Sequence, residues 1–392
     1  LAKPQRVAVV GAGPAGLSAA FYLSRLGYKT TVFEAGEVPG GMLAWGIPEY
    51  RLPREILQRE IAHLQRYGFE IKLNQPFGGN GLSIKSLKKQ GYSAIFLAMG
   101  AQKSVPLAIE GNNTEGVVDG LSWLKAINLG NPALAGDHVA VIGGGNAAMD
   151  AARSALRLGA KTVTVVYRRS REDMPAIADE VEEAEKERVK ILCQSMPKQL
   201  LTEDGKIKGL ECLKTEAGAP DESGRPQPVA LPGSEFLLQA NTVIIAIGQQ
   251  PDLSFLASDF PALAPGRPLA VNAQTLATEI EGVFAGGDLV RGPASVIEAL
   301  ADGRRAAFAI HSYLSKEPFP EAGDALTIGW ESIDMNHFKK RPRVSARTLP
   351  VVKRLVGFPE VETGLGEREA LMEADRCLQC GMFPKKEKSS NQ

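Results

Sequence analysis

Cysteine and histidine are scarce, with four of each in 392 residues. Cys193, Cys212, Cys377 and Cys380 are too few to form a disulfide scaffold in a chain of this size, which points to a reducing, cytoplasmic setting. His63, His138, His311 and His337 show neither metal-ligand spacing nor a nucleophile motif, so they read as ordinary surface or core residues. No apolar stretch approaches the roughly 20 residues needed to span a bilayer. No secretory leader precedes the first strand pattern, and a start at Leu1 rather than Met reads as a trimmed or processed product. Formal net charge is zero, with 45 basic and 45 acidic residues, so nothing favours nucleic acid or a membrane surface as a partner.

Glycine, by contrast, is abundant, with 41 residues clustered at the ends of apolar runs. That is where α/β proteins place ligand loops. The length exceeds one typical core and predicts two domains. Residues 6–34 read as strand, glycine loop, helix and strand, with Gly27 closing the helix. A further amphipathic helix is predicted from Leu52 to Tyr67, and a buried strand from Ala94 to Ala98 ends in Met99-Gly100. The unit then begins again: strand Val139 to Ile142, turn Gly143-Gly144-Gly145, helix Ala147 to Leu158, strand Thr162 to Tyr167. Glu180 to Arg188 reads as an exposed helix and residues 216–234, rich in Gly, Pro and Ser, as a surface loop. Thr242 to Ile247 is a second buried strand ending in glycine, at Gly248. These two endings bracket the second unit, as if it were inserted into the first. A helix rich in alanine is expected to run to about Leu314, followed by an irregular tail with one short helix near Arg368 to Arg376.

Gly11, Gly13 and Gly16, with Pro14 and Ala15 between them, fit G-x-G-x-x-G between a strand and a helix. The chemistry requires one glycine for a tight turn, one for close pyrophosphate approach and one for helix–strand packing. Glu34 ends the next strand 18 residues after Gly16 and can accept hydrogen bonds from a ribose diol. The second loop, Gly143-Gly144-Gly145-Asn146-Ala147-Ala148, follows the G-x-G-x-x-A variant. Its next strand ends in Arg168 and Arg169 rather than an acid. A guanidinium pair can bind a 2′-phosphate that a carboxylate would repel, so this site reads as preferring NADPH over NADH.

With both loops in place, the sequence resembles the glutamate synthase small-subunit family and its relatives, the FAD/NADPH half of dihydropyrimidine dehydrogenase and the large subunit of bifurcating ferredoxin:NADP oxidoreductases. The resemblance runs from Arg6 to Cys380. It rests on VAVVGAGPAGL, GGMLAWGIPEYRLP, VIGGGNAAMDAARSALRLGA, VVYRRSREDMPA, AIGQQP and GVFAGGD in that order. It implies an α/β fold of two nested Rossmann-like domains. The FAD domain is then discontinuous (1–103 and 249–325), with an NAD(P)H domain inserted at 104–248 and a tail at 326–392. It also implies that Gly41, Met42 and Leu43 wrap FAD, that Arg51 lies near the flavin, and that Gly100 closes the first FAD segment. Gly287 and Asp288 match the late FAD motif, and Ala294, Ser295 and Val296 open a helix whose amides face the flavin. Gly143, Gly145, Asn146, Ala147, Arg168, Arg169 and Gly248 fall to NADPH. Hydride chemistry then belongs to flavin N5, and no side chain is assigned as catalytic.

The expected activity is that of an electron-input subunit: NADPH reduces FAD, and electrons pass to an iron–sulfur or flavin partner subunit, or to a ferredoxin, in a hetero-oligomer. A stand-alone NAD(P)H:ferredoxin reductase or diaphorase, a bifurcating flavin subunit, and a non-catalytic nucleotide-binding subunit are the alternatives. Residues 35–60 contain no cysteine, which speaks against a disulfide reductase; Cys193 and Cys212 read as inert thiols. Cys377 and Cys380 form a C-x-x-C that in related proteins opens an iron–sulfur segment, but no later cysteine follows. A 4Fe-4S cluster completed by a partner chain, a zinc site shared across an interface, and a vestigial pair all remain open. Lys339, Lys340, Arg341, Arg343, Arg347, Lys353 and Arg354 form a basic run, read either as solvated or as a docking surface for an acidic partner.

Overall fold

The structure is a computed structural model that describes residues 2–79, 81–112, 114–131, 135–221, 224–257, 259–260, 268–318 and 338–378. Two parallel five-stranded sheets organise it. The first runs Glu70–Lys72, Lys29–Phe33, Arg6–Val10, Tyr92–Leu97, Val283–Ala285. The second runs Lys190–Leu192, Thr162–Val166, His138–Ile142, Thr242–Ile245, Val117–Asp119. Strand order is the same in both, third-second-first-fourth and then an outer strand, but the outer strands have opposite origins. That of the first sheet arrives only after the chain has passed through the second, whereas that of the second precedes its glycine loop. The chain leaves and re-enters the first unit at neighbouring points, where Lys103–Ser104 pairs antiparallel with Gln249–Gln250 and the Val105 N–H donates to the Gly248 carbonyl at 3.0 Å.

The central strands are apolar and β-branched because both faces are covered. Val7, Val9 and Phe96 face one core with Leu17, Leu23 and Ile310, while Ala8, Val10 and Leu97 face another with Leu87 and Leu289. The second sheet packs Val139, Val141 and Val165 against the alanine- and methionine-bearing face of the Asn146–Arg157 helix.

Several sequence expectations move. The helix predicted from Leu52 spans Arg54–Gln65, since Pro53 supplies its N-cap, and the charge-dense helix spans Ala178–Lys186. The loop expected over 216–234 is largely strand: Lys206–Pro220 pairs antiparallel with Pro226–Ala230 on one side and with Ser195–Glu203 and Phe236–Gln239 along its earlier length. Prolines mislead there because Pro226 and Pro228 sit on an edge strand, where the missing N–H costs no ladder bond. The tail is not wholly irregular. It forms a short ladder of Arg347–Thr348 with Glu362–Gly364, a single turn at Val351–Arg354 and a helix at Glu367–Ala374.

Helix Val296–Ser315 crosses helix Pro14–Arg25 at Gly303. A β-carbon there would stand 2.1 Å from the Ala15 carbonyl oxygen and 2.8 Å from the Ser18 β-carbon. The crossing carries the first glycine loop, so it is a packing constraint on the site as well as on the core. Gly303→Ala is expected to lower stability by roughly 1–3 kcal/mol through overpacking, read as a lower denaturant midpoint at unchanged m-value in urea unfolding; an unchanged midpoint would contradict the packing argument.

Candidate functional site

The first glycine loop distributes its three roles as the chemistry requires. Gly11 has φ of +104° and passes beneath the Ala98 carbonyl oxygen, which a β-carbon would approach to 2.4 Å; Gly16 would meet the Gly11 oxygen at 1.9 Å. Gly13 faces open space, with only the Gly41 α-carbon 3.9 Å away. Gly41 closes on it from the other strand connection, since its own β-carbon would lie 2.9 Å from the Gly13 α-carbon. The helix that follows begins at Pro14 with no side-chain cap. Its first-turn amides are therefore left to a ligand, and the dipole end favours an anion. Glu34 stands across the loop. One carboxylate oxygen accepts the Ala12 N–H at 2.8 Å and the other the Gly36 N–H at 2.8 Å. Two bonds orient the carboxylate and leave lone pairs for ribose hydroxyls.

Met42 and Leu43 begin the one-turn helix Met42–Trp45 and pack on the core, and the Gly40 N–H donates to the Ala12 carbonyl at 2.8 Å. Gly100 follows the strand that ends beside Gly11, in a left-handed conformation with open space around it.

On the far side of the loop, Gly287 would place a β-carbon 3.0 Å from that of Ala15. Its N–H donates to Asp302 Oδ2 at 3.0 Å, and Arg291 clasps the same carboxylate at 3.0 and 2.6 Å. Asp302 is 1% exposed and is a residue that the motif reading missed. Its signal was an aspartate on the buried, alanine-rich stripe of a helix. Burial pushes the neighbouring Asp288 carboxyl up to about 6, with the Ala294 N–H pulling the other way. Helix Val296–Ser315 does open where expected, but Ser295 and Glu298 form a capping box, so the amides of Ser295 and Glu298 are already satisfied. Val296 and Ile297 remain exposed at that end.

The second loop repeats the scheme. A β-carbon on Gly143 would lie 2.1 Å from the Ala246 carbonyl oxygen, one on Gly144 would lie 2.4 Å from the Tyr167 ring, and Gly145 faces open space. The helix begins at Asn146, again without a side-chain cap. Asn146 Oδ1 accepts the Ile177 N–H at 2.9 Å and the Gly144 carbonyl accepts the Ala176 N–H at 3.1 Å, so the 167–178 connection folds back over the loop. Ala147 lies in the first turn of that helix, and Gly248 stands at the return crossing.

The arginine pair divides. Arg168 is exposed, while Arg169 is buried and gives its Nε to the Pro226 carbonyl at 2.7 Å and a terminal nitrogen to Asp221 at 2.8 Å. Only Arg168 presents its guanidinium to solvent. Arg51 also departs from expectation. Its guanidinium bonds Asp150 at 3.0 and 2.8 Å and Glu180 at 3.0 Å, both carried by helices of the second unit, so its donors are committed across the boundary between the two sheets.

Cys212 is buried, and desolvation pushes its thiol up to about 12; burial also raises that of Cys193. Cys377 is exposed, Cys380 lies outside the described residues, and no group of three potential metal ligands occurs among the described residues. In the basic run Arg341 pairs with Asp375, Arg347 with Glu369 and Arg354 with Glu183, which neutralises part of the expected docking charge. No described helix is long and apolar enough to cross a membrane.

The family profile described as pyridine nucleotide-disulphide oxidoreductase matches residues 5–303. The chain belongs to that family. It is an oxidoreductase of that family. It is 44% identical over 387 residues to the NADP(+)-dependent formate dehydrogenase subunit beta of Moorella thermoacetica, covering 96% of this chain and 54% of that protein. It is 36% identical to the glutamate synthase [NADPH] small chain of Azospirillum brasilense, over 78% of this chain and 66% of the relative. The resemblance to the glutamate synthase small chain therefore holds. The chain spans about half to two thirds of the length of these curated relatives. Mycobacterium tuberculosis FprA in complex with NADPH shares the fold at a TM-score of 0.67 and 17% identity, over 81% of this chain and 88% of FprA.

Because the Asp288 carboxyl keeps its proton to a higher pH in the folded chain than in an unfolded one, where the value is about 3.9, it makes stability fall as pH rises from about 4 to about 6. Asp288→Asn removes that loss. In FAD-free protein it is expected to add roughly 1–2 kcal/mol at neutral pH, discounted for partial exposure, and nothing near pH 4; thermal unfolding across pH checks both.

Proposed function

We propose that this chain is the NADPH-oxidising input module of a larger oxidoreductase, handing electrons to an iron–sulfur or flavin partner. One observation carries the nucleotide part: two glycine loops, each with an open second glycine and an uncapped helix, followed by an acid at 34 in one case and an exposed arginine at 168 in the other. The open glycines fit a pyrophosphate, which a β-carbon at Gly13 or Gly145 would displace. With both bound, the nicotinamide would supply a hydride donor and the flavin its acceptor.

The chain's own residues bind and orient. First-turn amides after Gly13 hold one pyrophosphate, and Glu34, fixed by the Ala12 and Gly36 amides, takes the ribose. Asp288 follows Gly287, which the Asp302–Arg291 clasp steadies, and would meet the same cofactor. Amides after Gly145 would hold the second pyrophosphate, and Arg168 would take the 2′-phosphate, while Arg169 is held by Asp221 and the Pro226 carbonyl. Cys212, with its thiol at about 12, offers no thiolate, which supports electron exit by another route than a disulfide.

The partner reading rests on the relatives, which are named as subunits: the Moorella thermoacetica protein above, and the NADPH-Fe(3+) oxidoreductase subunit beta of Geobacter sulfurreducens, 38% identical over 96% of this chain. Exposed Cys377, at the edge of the described tail, is where a cluster shared with a partner would be sought.

Arg168→Ala tests the donor. A charge-assisted bond to the phosphate is worth roughly 1.5–3 kcal/mol. Flavin reduction is therefore expected to lose about ten- to hundredfold in kcat/KM for NADPH and little for NADH. An unchanged preference would remove the assignment.

A further inference from the structure

The tail beyond residue 303 lies outside the matched family profile, yet it enters the boundary between the two sheets. Tyr50, from the connection after the first glycine-loop unit, is fully buried there. Its hydroxyl donates to Asp150 at 3.2 Å, and its ring lies 4.0 Å from the Arg157 guanidinium and 4.7 Å from that of Arg153. The same ring stacks on Phe358 of the tail, centroids 6.3 Å apart and planes at 29°, and its carbonyl accepts the Val361 N–H at 2.9 Å. Three parts of the chain thus meet on one side chain: the flavin unit, the nicotinamide unit and the tail.

Around Tyr50 runs a continuous charge network. Arg51 joins Asp150 and Glu180; Arg153 joins Glu180 and Glu187; Arg157 joins Glu187; Arg354 of the tail joins Glu183 and reaches Glu187 at 3.7 Å. Four guanidinium groups face four carboxylates, and Arg354 is itself 5% exposed. The Arg354 Nε also donates to the Leu349 carbonyl, which fixes the turn at Val351–Arg354. Buried charges of this kind hold only when every partner is present, so removing one frees the rest. A network that spans three segments therefore resists any rotation of one unit against the other.

We propose that residues 347–364 form a strap that seats the nicotinamide unit on the flavin unit, with Arg354 and Phe358 as positioning residues for hydride transfer. The strap acts through Tyr50, Glu183 and Glu187. A donor and acceptor held by separate domains react only as fast as the domains are held in register, and a shift of about 1 Å can cost about 100-fold. This step rests on the NADPH and flavin reading above, but the seating itself does not.

The test uses Arg354→Gln and Phe358→Ala in the full chain with FAD bound. Hydrogen exchange is followed at residues 47–52 and 178–187, and stopped-flow bleaching of the flavin by NADPH is followed in parallel. The expected result is unchanged FAD content, exchange at both segments at least tenfold faster, a limiting rate lowered at least tenfold and a KM for NADPH within twofold. Arg354→Lys is expected to recover most of the rate. Unchanged exchange at both segments, or a change confined to FAD content, overturns the strap; faster exchange with an unaltered limiting rate overturns the positioning role of Arg354 and Phe358. If Arg354→Gln does not fold, Phe358→Ala decides, since it removes the stacking without leaving a buried charge unpaired. Should the parent protein itself not be bleached by NADPH, the functional reading fails alone and the positioning claim falls with it, while exchange still reports whether the tail seats the units.

Discussion

Each unit closes on one close backbone contact, and the position is the same in both. The carbonyl of Ala98 stands where a β-carbon on Gly11 would be, and the carbonyl of Ala246 stands where one on Gly143 would be. The first strand can therefore turn into its helix only by passing under the end of the fourth. Any larger residue would push the helix away from the sheet, and with it the amides that its uncapped first turn leaves for a ligand. Packing and binding are the same constraint seen from two sides, which is why the open glycines, Gly13 and Gly145, sit two residues after the crowded ones.

The two glycine loops were legible in the sequence because they are local. Strand, loop, helix and the residue ending the next strand all lie within about 35 residues, and the glycine roles follow from sterics alone. The nesting was legible too, since the last strand before the second unit and the strand that ends that unit both run into glycine. What the sequence obscured was partnership. Arg168 and Arg169 are adjacent and chemically identical, yet in the bend after the strand one is exposed and the other buried, and only the pairing of Arg169 with Asp221, 52 residues later, separates their tasks. Arg51 was read toward the flavin by its motif, but its acceptors, Asp150 and Glu180, are supplied from far along the chain. The strand at 226–230 was hidden by Pro226 and Pro228, because edge position is a tertiary property that composition does not encode.

Some of the missed residues did leave a trace. Asp150 and Arg153 lie on the buried face of the Asn146–Arg157 helix, beside Met149, Ala151 and Ala152, and Asp302 lies among buried alanines. A charged side chain on an apolar stripe requires a partner from another element. Such a position announces that an ion pair exists without saying with whom.

That distinction bears on how two tasks share one chain. The glycine loops need rigidity, and they obtain it from backbone contacts within a few ångströms that no rotation of the domains disturbs. The register between the domains needs a definite choice among many orientations, which apolar packing alone specifies poorly. A buried network of charges is an uncertain source of net stability, because desolvation offsets much of its attraction, but it penalises every arrangement that leaves one member unpaired. Tyr50 is suited to the centre of such a network: its ring meets two guanidinium groups and an aromatic from the tail, while its hydroxyl donates to Asp150. The tail then has leverage out of proportion to its size, since withdrawing Arg354 would leave Glu183 and Glu187 short of a partner and loosen contacts that begin in the first unit.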